Sequence, residues 1–312
     1  MKTLVTGASG FVGAAVVPEL LRRGHAVRTA ARRATTHGDS VLLPDIGPDT
    51  DWRAALAGCD AVVHLAARVH VMRDEAADPL AAYRHVNTAG TLALAEQAAA
   101  SGARVFVFAS TVKVLGEASP RGRPFTDVDP PAPVDPYAVS KAEAERGLAD
   151  IAVRTGMRVA VLRPPLVYGP GVGANFLRLL RTVARGMPLP LGAIDNRRSL
   201  VYVGNLAAAV GFCLEREEAR GTFLVSDGED LATPELVRRI AAALGRRPRL
   251  VPVPPGLLRG AGTLLGKGAE IERLLGDLAV APTGLARLGW KPPFTADEAL
   301  RETAAWYRSL AR

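Results

Sequence analysis

Thr6-Gly7-Ala8-Ser9-Gly10-Phe11-Val12-Gly13 lies between a short apolar, β-branched run, Lys2 to Val5, and the apolar, helix-forming run Ala14 to Leu21. Three glycines in a strand-to-helix turn constrain the chain more than any other feature. In that setting the first amides of a helix are left facing an anion, and glycine lets the anion come close. Gly7 allows the tight turn, Gly10 the approach of a pyrophosphate, and Gly13 the packing of the helix on the sheet. The pattern predicts a dinucleotide site at the first strand-helix unit.

The rest of the N-terminal half repeats that alternation. Ala26 to Ala30 reads as a second strand, Asp51 to Ala57 as a short helix and Ala61 to Leu65 as a strand. Tyr83 to Ala100 reads as one long alanine-rich helix, followed by a buried strand at Val105 to Phe108. The proline-rich segment Pro120 to Pro136 is expected to be an ordered loop, with a helix over Ala138 to Ala149 and a sixth strand over Arg158 to Arg163. Strands alternating with helices imply a Rossmann-type, doubly wound α/β sheet with helices on both faces. Beyond Pro164 proline and glycine cluster at 164–173 and 186–192, and helices dominate from Thr233 to Leu275. We expect a dinucleotide-binding domain over 1–163, with later crossings back at about 198–227. A smaller, mostly helical substrate lobe over 164–312 completes the chain.

Composition sets outer limits. A chain of 312 residues with 48% hydrophobic content can bury a substantial core. No apolar run approaches the length of a spanning helix, and Met1 leads straight into a strand, so a cytoplasmic protein without membrane or leader is expected. Cys59 and Cys213 sit in apolar segments without CxxC spacing and read as buried thiols; no metal site is expected. The net charge of +8 comes from arginines scattered in pairs such as Arg22-Arg23, Arg32-Arg33 and Arg246-Arg247. With no basic run interleaved with aromatics, this reads as a solvated surface and not as a nucleic-acid site.

Tyr137 and Lys141 stand four apart at the start of a predicted helix, so both project from one face. An ammonium beside a phenol favours the phenolate, and a tyrosine so placed can exchange a proton with a sugar hydroxyl while a nicotinamide exchanges a hydride. Ser110 and Thr111 end the buried strand Val105 to Phe108, at the sheet edge where ligands of open α/β proteins bind. One hydroxyl can meet a substrate oxygen; the other is expected to satisfy loop backbone.

Together with Asp60-Ala-Val-Val-His64-Leu-Ala66-Ala67, Asn87-Thr-Ala-Gly90-Thr91, Arg163-Pro164-Pro165-Leu166-Val167-Tyr168-Gly169 and Leu288-Gly289-Trp290, these motifs span nearly the whole chain. The chain resembles the extended short-chain dehydrogenases/reductases, the nucleotide-sugar epimerase/dehydratase family. The resemblance implies that Thr111, Tyr137 and Lys141 are catalytic. It implies a cofactor, NAD(P), bordered by Gly7, Ser9, Gly10, Phe11, Val12, Gly13, Arg32, Arg33, Asp45, Ile46, Leu65, Ala66, Ala67, Asn87, Ser110, Tyr137, Lys141 and Pro164. For a UDP-sugar substrate it implies Thr111, Asn175, Arg198 and, more weakly, Arg273, and it implies a homodimer. Two departures from the family pattern matter. Val112 and Lys113 replace the Asp-Glu pair that dehydratases need, which argues against 4,6-dehydration. Ala31 stands where NAD-preferring members carry a ribose-binding acid, so NADP(H) is at least tolerated, with Arg32 and Arg33 placed to pair a 2′-phosphate. The segment Val112 to Glu117 resembles a subgroup of UDP-glucose 4-epimerase-like proteins and UDP-4-keto-hexosamine reductases. The missing acid tilts the expectation toward 4-keto reduction for surface polysaccharide synthesis. 4-Epimerisation is the alternative, and a non-catalytic dinucleotide sensor or RNA-binding protein is a distant one.

Overall fold

Strand β1 (Lys2–Thr6) is almost wholly buried and runs through the glycine turn into helix α1 (Gly13–Arg22). The computed structural model describes residues 1–32, 39–43, 45–69 and 78–310. The chain continues through β2 (Ala26–Ala31), β3 (Asp39–Leu42), α2 (Arg53–Leu56), β4 (Ala61–His64), α3 (Pro79–Tyr83), α4 (Thr91–Ala100) and β5 (Val105–Ala109). After β6 (Phe125–Thr126) come α5 (Pro136–Thr155), β7 (Arg158–Arg163), β8 (Leu166–Tyr168), α6 (Ala174–Ala184), β9 (Arg198–Tyr202), α7 (Val203–Glu215), β10 (Gly221–Leu224) and β11 (Asp230–Leu231). The last stretch holds α8 (Thr233–Ala243), α9 (Pro255–Leu264), α10 (Gly268–Leu275), β12 (Val280–Ala281), α11 (Thr283–Arg287) and α12 (Ala296–Ser309).

Seven strands form one sheet in the order β10-β7-β5-β4-β1-β2-β3, and every neighbouring pair is parallel. This is the doubly wound Rossmann-type arrangement expected. The period-2 alternation of side chains feeds two cores. Val5, Val63 and Val107 face α1 and α7, packing on Val16, Leu20, Leu206 and Val210. Leu4, Val62 and Phe106 face α4 and α5, packing on Leu94, Leu148 and Ile151. The order reverses between β1 and β4: the chain runs from β1 outward to β2 and β3, then returns to β4. The carboxyl ends of these parallel strands therefore flank a crevice. A third core, with Tyr168, Phe176, Leu180, Val237, Ile240 and Leu300, joins α6, α8 and α12 around a three-stranded sheet, β11-β9-β8.

Several elements differ from their sequence outlines. The predicted helix Tyr83 to Ala100 starts earlier, at Pro79, where Asp78 caps it by accepting from Ala81 N at 3.0 Å. It is also interrupted by a π-helical segment, Arg84–Gly90. Thr91 Oγ1 donates to Asn87 O at 2.7 Å within that widened turn, and Gly90 packs against Ile46 and Gly47, so side-chain bonding and close packing override the helical period. Helix α5 reaches Thr155 because a left-handed glycine, Gly156 at φ +74°, ends it. The expected loop at 120–136 contains β6, which pairs with β12 through Phe125↔Val280. Both cysteines are free and buried, as expected; burial pushes the Cys213 thiol up to about 12. Among the described residues no helix is long and apolar enough to cross a membrane.

Candidate active site

Register places the candidate residues along one edge. Thr6 lies opposite His64, His64 opposite Phe108, and Ala109 opposite Leu162, so the segments after β1, β4, β5 and β7 emerge side by side. These segments carry Gly7 to Gly13, Leu65 to Ala67, Ser110-Thr111 and Pro164. Gly7 takes φ +70°, and a Cβ there would lie 2.7 Å from Ala66 N. A Cβ on Gly13 would lie 2.3 Å from Gly7 O, so Gly13 lets the helix press against the turn that leaves β1. A Cβ on Gly10 would meet only Gly7 O, at 3.2 Å, which leaves open space beside the turn. Helix α1 has no side-chain cap at Val12. Phe11 leans away from the turn, lying against Gly171 and the third core.

Beneath the turn is a polar relay that the sequence pattern does not reveal. His64 Nδ1 shares a hydrogen bond with Thr6 Oγ1 at 2.7 Å and His64 Nε2 with Thr91 Oγ1 at 3.0 Å. Burial, with Lys141 nearby, pushes this imidazole down to about 3, so it stays neutral and ties β1, β4 and α4 together. Its only signal in the sequence is a histidine inside an apolar strand.

Tyr137 and Lys141 do share a face of α5. Asp135 caps that helix by accepting from Ala138 N at 2.7 Å, which seats Tyr137 in the first turn. The Tyr137 ring sits edge-on to Tyr83 at 6.1 Å. Lys141 is fully buried, donates to Ala109 O at 2.8 Å and lies 4.3 Å from the centroid of the Phe108 ring. One expectation is corrected here. Burial, then the carboxylate of Asp135 and the nearby Tyr83, push the Tyr137 phenol up from its ordinary value; Lys141 does not bring it down. Lys141 is itself taken down to about 7 by burial, against an opposing pull from Glu145.

Glu145 is a buried neighbour of Lys141 that the sequence motifs miss, although its spacing of four from Lys141 on the same helix is a usable signal. Arg163 holds it through Nη2 at 2.5 Å and Nε at 3.1 Å, with the two side chains only 5% and 7% exposed. Ser110 Oγ also donates to Glu145. Ser110 is thus turned inward onto a carboxylate. Thr111, half-buried, is the residue that satisfies loop backbone, accepting from Lys113 N at 3.3 Å. Lys113 pairs with Asp135 at 2.7 Å.

The remaining expected residues separate into groups. Asn87 is buried beside the relay, its amide bonding Arg68 backbone and Ser140 Oγ. Ile46 packs on the second core, and the exposed Asp45 accepts from Ile46 N. Arg32 is exposed just beyond β2; Arg33 lies outside the described residues. Arg198 and Arg273 come together, Arg198 Nη1 donating to Arg273 O at 2.8 Å and Gly276 O at 3.2 Å. Asn175 is exposed at the start of α6, where its amide oxygen accepts from Arg178. Ala174 beside it, at φ +48°, is the one non-glycine residue with positive φ among those described. Side chains rarely hold that conformation without support from their surroundings.

The sequence and the fold have counterparts among known proteins. The model of the NAD dependent epimerase/dehydratase family matches residues 3–225. The chain is 45% identical to a UDP-glucose 4-epimerase of Vibrio cholerae, over 96% of this chain and 94% of that one. It is 26% identical to the N-acetyl-α-D-glucosaminyl-diphospho-ditrans,octacis-undecaprenol 4-epimerase of Escherichia coli O157:H7, over 96% and 93%. Among solved structures, the UDP-glucose 4-epimerase of Thermus thermophilus in complex with NAD is similar at a TM-score of 0.78 and 28% identity, covering 99% of both chains.

Proposed function

Because the chain belongs to the NAD-dependent epimerase/dehydratase family, we propose that it is an NAD-dependent 4-epimerase of a UDP-hexose or UDP-N-acetylhexosamine. The observation that carries this reading is the 45% identity with a UDP-glucose 4-epimerase along nearly the full length of both chains.

The residues present fit the dinucleotide. The turn accepts no side chain at Gly7 or Gly13, leaves space beside Gly10, and presents the uncapped start of α1 to a pyrophosphate. Bound NAD supplies a reversible hydride acceptor. Inversion at C4 needs no net oxidation, so the chain's own task is to hold the nucleotide end, leave the sugar room to present its other face between the two hydride transfers, and move one proton on and off its 4-oxygen. Tyr137 Oη takes that proton and returns it, and Thr111 Oγ1 hydrogen-bonds the same oxygen. Lys141 shares that face of α5, and the balance of burial against Glu145 sets how much of it is present as the ammonium. We assign residues 1–163, with returns at about 198–227, to the dinucleotide and 164–312 to the nucleotide sugar. A homodimer forms part of this proposal.

Arg198 is assigned to the diphosphate, with Asn175 and Arg273 beside it. Its guanidinium is largely buried, and two carbonyls hold Nη1, which orients the rest of the fork. Arg198→Ala is therefore expected to weaken UDP binding by about 2 kcal/mol, the scale of a charge-assisted contact. Calorimetric titration with UDP measures it, and unchanged affinity places the diphosphate elsewhere.

A second reading, reduction of a UDP-4-keto sugar, rests on Ala31, where no carboxylate repels a 2′-phosphate, and on Arg32 beyond it. The same feature leaves NADP(H) acceptable. The two activities separate in one assay. The epimerase interconverts UDP-glucose and UDP-galactose, or their N-acetyl forms, with no net change in nicotinamide absorbance. Stoichiometric consumption of NADH or NADPH by a UDP-4-keto-hexosamine, without interconversion, would replace it with the reductase.

A further inference from the structure

The C-terminal lobe carries an arginine-lined groove that the proposed chemistry leaves unused. Arg185, Arg246, Arg247 and Arg249 surround a depression of about 430 Å³ together with Ala184 and Gly186. All four arginines are exposed, and none of them pairs with a carboxylate among the described residues. Arg239 and Arg259, by contrast, are taken: Arg239 binds Glu229 and Glu235, and Arg259 binds Glu272. Four cations held together without counter-ions repel one another, an arrangement that an anionic surface relieves.

Exposed apolar side chains lie next to the groove. Met187 is 50% exposed and Val251 45%, each within two residues of a groove arginine. The segment is held in place by a short ladder in which Leu189 N donates to Arg249 O and Val251 N to Leu189 O, each at 2.8 Å. Three prolines later α9 begins. Leu258 and Gly262 anchor it, the first in the third core and the second against Ile271. Leu257, Ala261 and Leu264, at helical spacing, form an outward stripe that Leu265 extends, with the leucines 67%, 89% and 72% exposed. Lys267 follows, also exposed. Large apolar side chains this open, on a helix that begins six positions after Arg249, are unusual on the surface of a monomer.

We propose that this face docks on an anionic lipid bilayer, with the α9 leucines entering the headgroup boundary and the groove arginines meeting lipid phosphates. Charge complementarity selects this occupant: a leucine stripe on its own would suit a second copy, but a copy of this chain would bring its own arginines to the contact. The expectation of no membrane partner came from the lack of a spanning segment; surface docking needs none. The proposal stands whichever sugar the chain acts on.

The test is co-sedimentation of the full chain with vesicles. Phosphatidylcholine vesicles containing phosphatidylglycerol should bind it, pure phosphatidylcholine vesicles should not, and added salt should weaken binding. Leu264→Glu, at a side chain too exposed to support folding, and Arg246→Glu with Arg247→Glu should each cut the bound fraction about tenfold or more. NAD binding, measured by fluorescence, should be unchanged in both variants. Failure to bind the anionic vesicles, equal binding to both vesicle types, or binding that survives both variants overturns the proposal. So does a dimer in sedimentation velocity that Leu264→Glu splits, which would assign the stripe to a second copy.

Discussion

Tyr137→Phe is expected to lower kcat about 10²–10⁴-fold, the usual contribution of a positioned proton-transfer group, while dinucleotide and UDP affinities hold. The ring would stay in its edge-on contact with Tyr83, so the loss isolates one hydroxyl and not the packing around it. The effect should be large because the chain offers that oxygen little alternative. Thr111 Oγ1 accepts from Lys113 N, which leaves its hydroxyl to hydrogen-bond that oxygen but not to carry its proton away, and Ser110 is committed to Glu145. Steady-state turnover of UDP-glucose, with binding measured separately, checks it. A variant within a few-fold of the parent would remove Tyr137 from the proton path.

The second large effect concerns stability. Glu145→Gln is expected to lower the unfolding free energy by about 3–5 kcal/mol, the cost of leaving one half of a buried ion pair without its partner. Arg163 would keep its charge in a site where it is only 5% exposed, and Ser110 would lose its carboxylate acceptor. Replacing both members, Glu145→Gln with Arg163→Met, should recover much of the loss, because the uncompensated charge is then gone. Urea unfolding measures both; an unchanged midpoint in the single variant would mean that the pair contributes nothing.

The same variant should move the pH dependence of turnover, and the sign follows from Lys141. Burial lowers its pKa to about 7 from the ordinary 10.5, and Glu145 opposes that fall. Because the folded value is depressed, the unfolded chain binds more protons between about pH 7 and 10.5, so this group makes the fold more stable as pH rises through that window and less stable as pH falls through it. The other ionisable groups around it are Arg163, which faces Glu145, and His64, which stays neutral. Removing Glu145 lowers Lys141 further, so the limb of activity that needs the ammonium should shift to lower pH. An unshifted profile would separate Lys141 from the catalytic charge balance.

Much of the fold and part of the site are legible in the sequence because they are written in short-range patterns. The glycine turn can be read because a left-handed Gly7 and a Gly13 pressed on Gly7 O admit no other residue. The double-sided sheet can be read because Leu4-Val5, Val62-Val63 and Phe106-Val107 are apolar at both parities of a period-2 strand. Tyr137 and Lys141 are visible because one helical turn separates them. Where the pattern misleads, distant partners intervene. The π-helical break at Arg84–Gly90 answers to the contact of Gly90 with Ile46 and Gly47. The inward turn of Ser110 answers to Glu145, 35 positions away.

By itself, then, the sequence determined the layered sheet, the glycine turn and the spacing of the phenol and the amine, since backbone geometry and side-chain period depend on near neighbours. Only the tertiary structure decided the charge state of that pair. Burial acts on Tyr137 and Lys141 through atoms that β5, β7 and α3 bring from elsewhere in the chain, and Asp135 and Glu145 exert their effect only because the fold removes the water that would otherwise screen them.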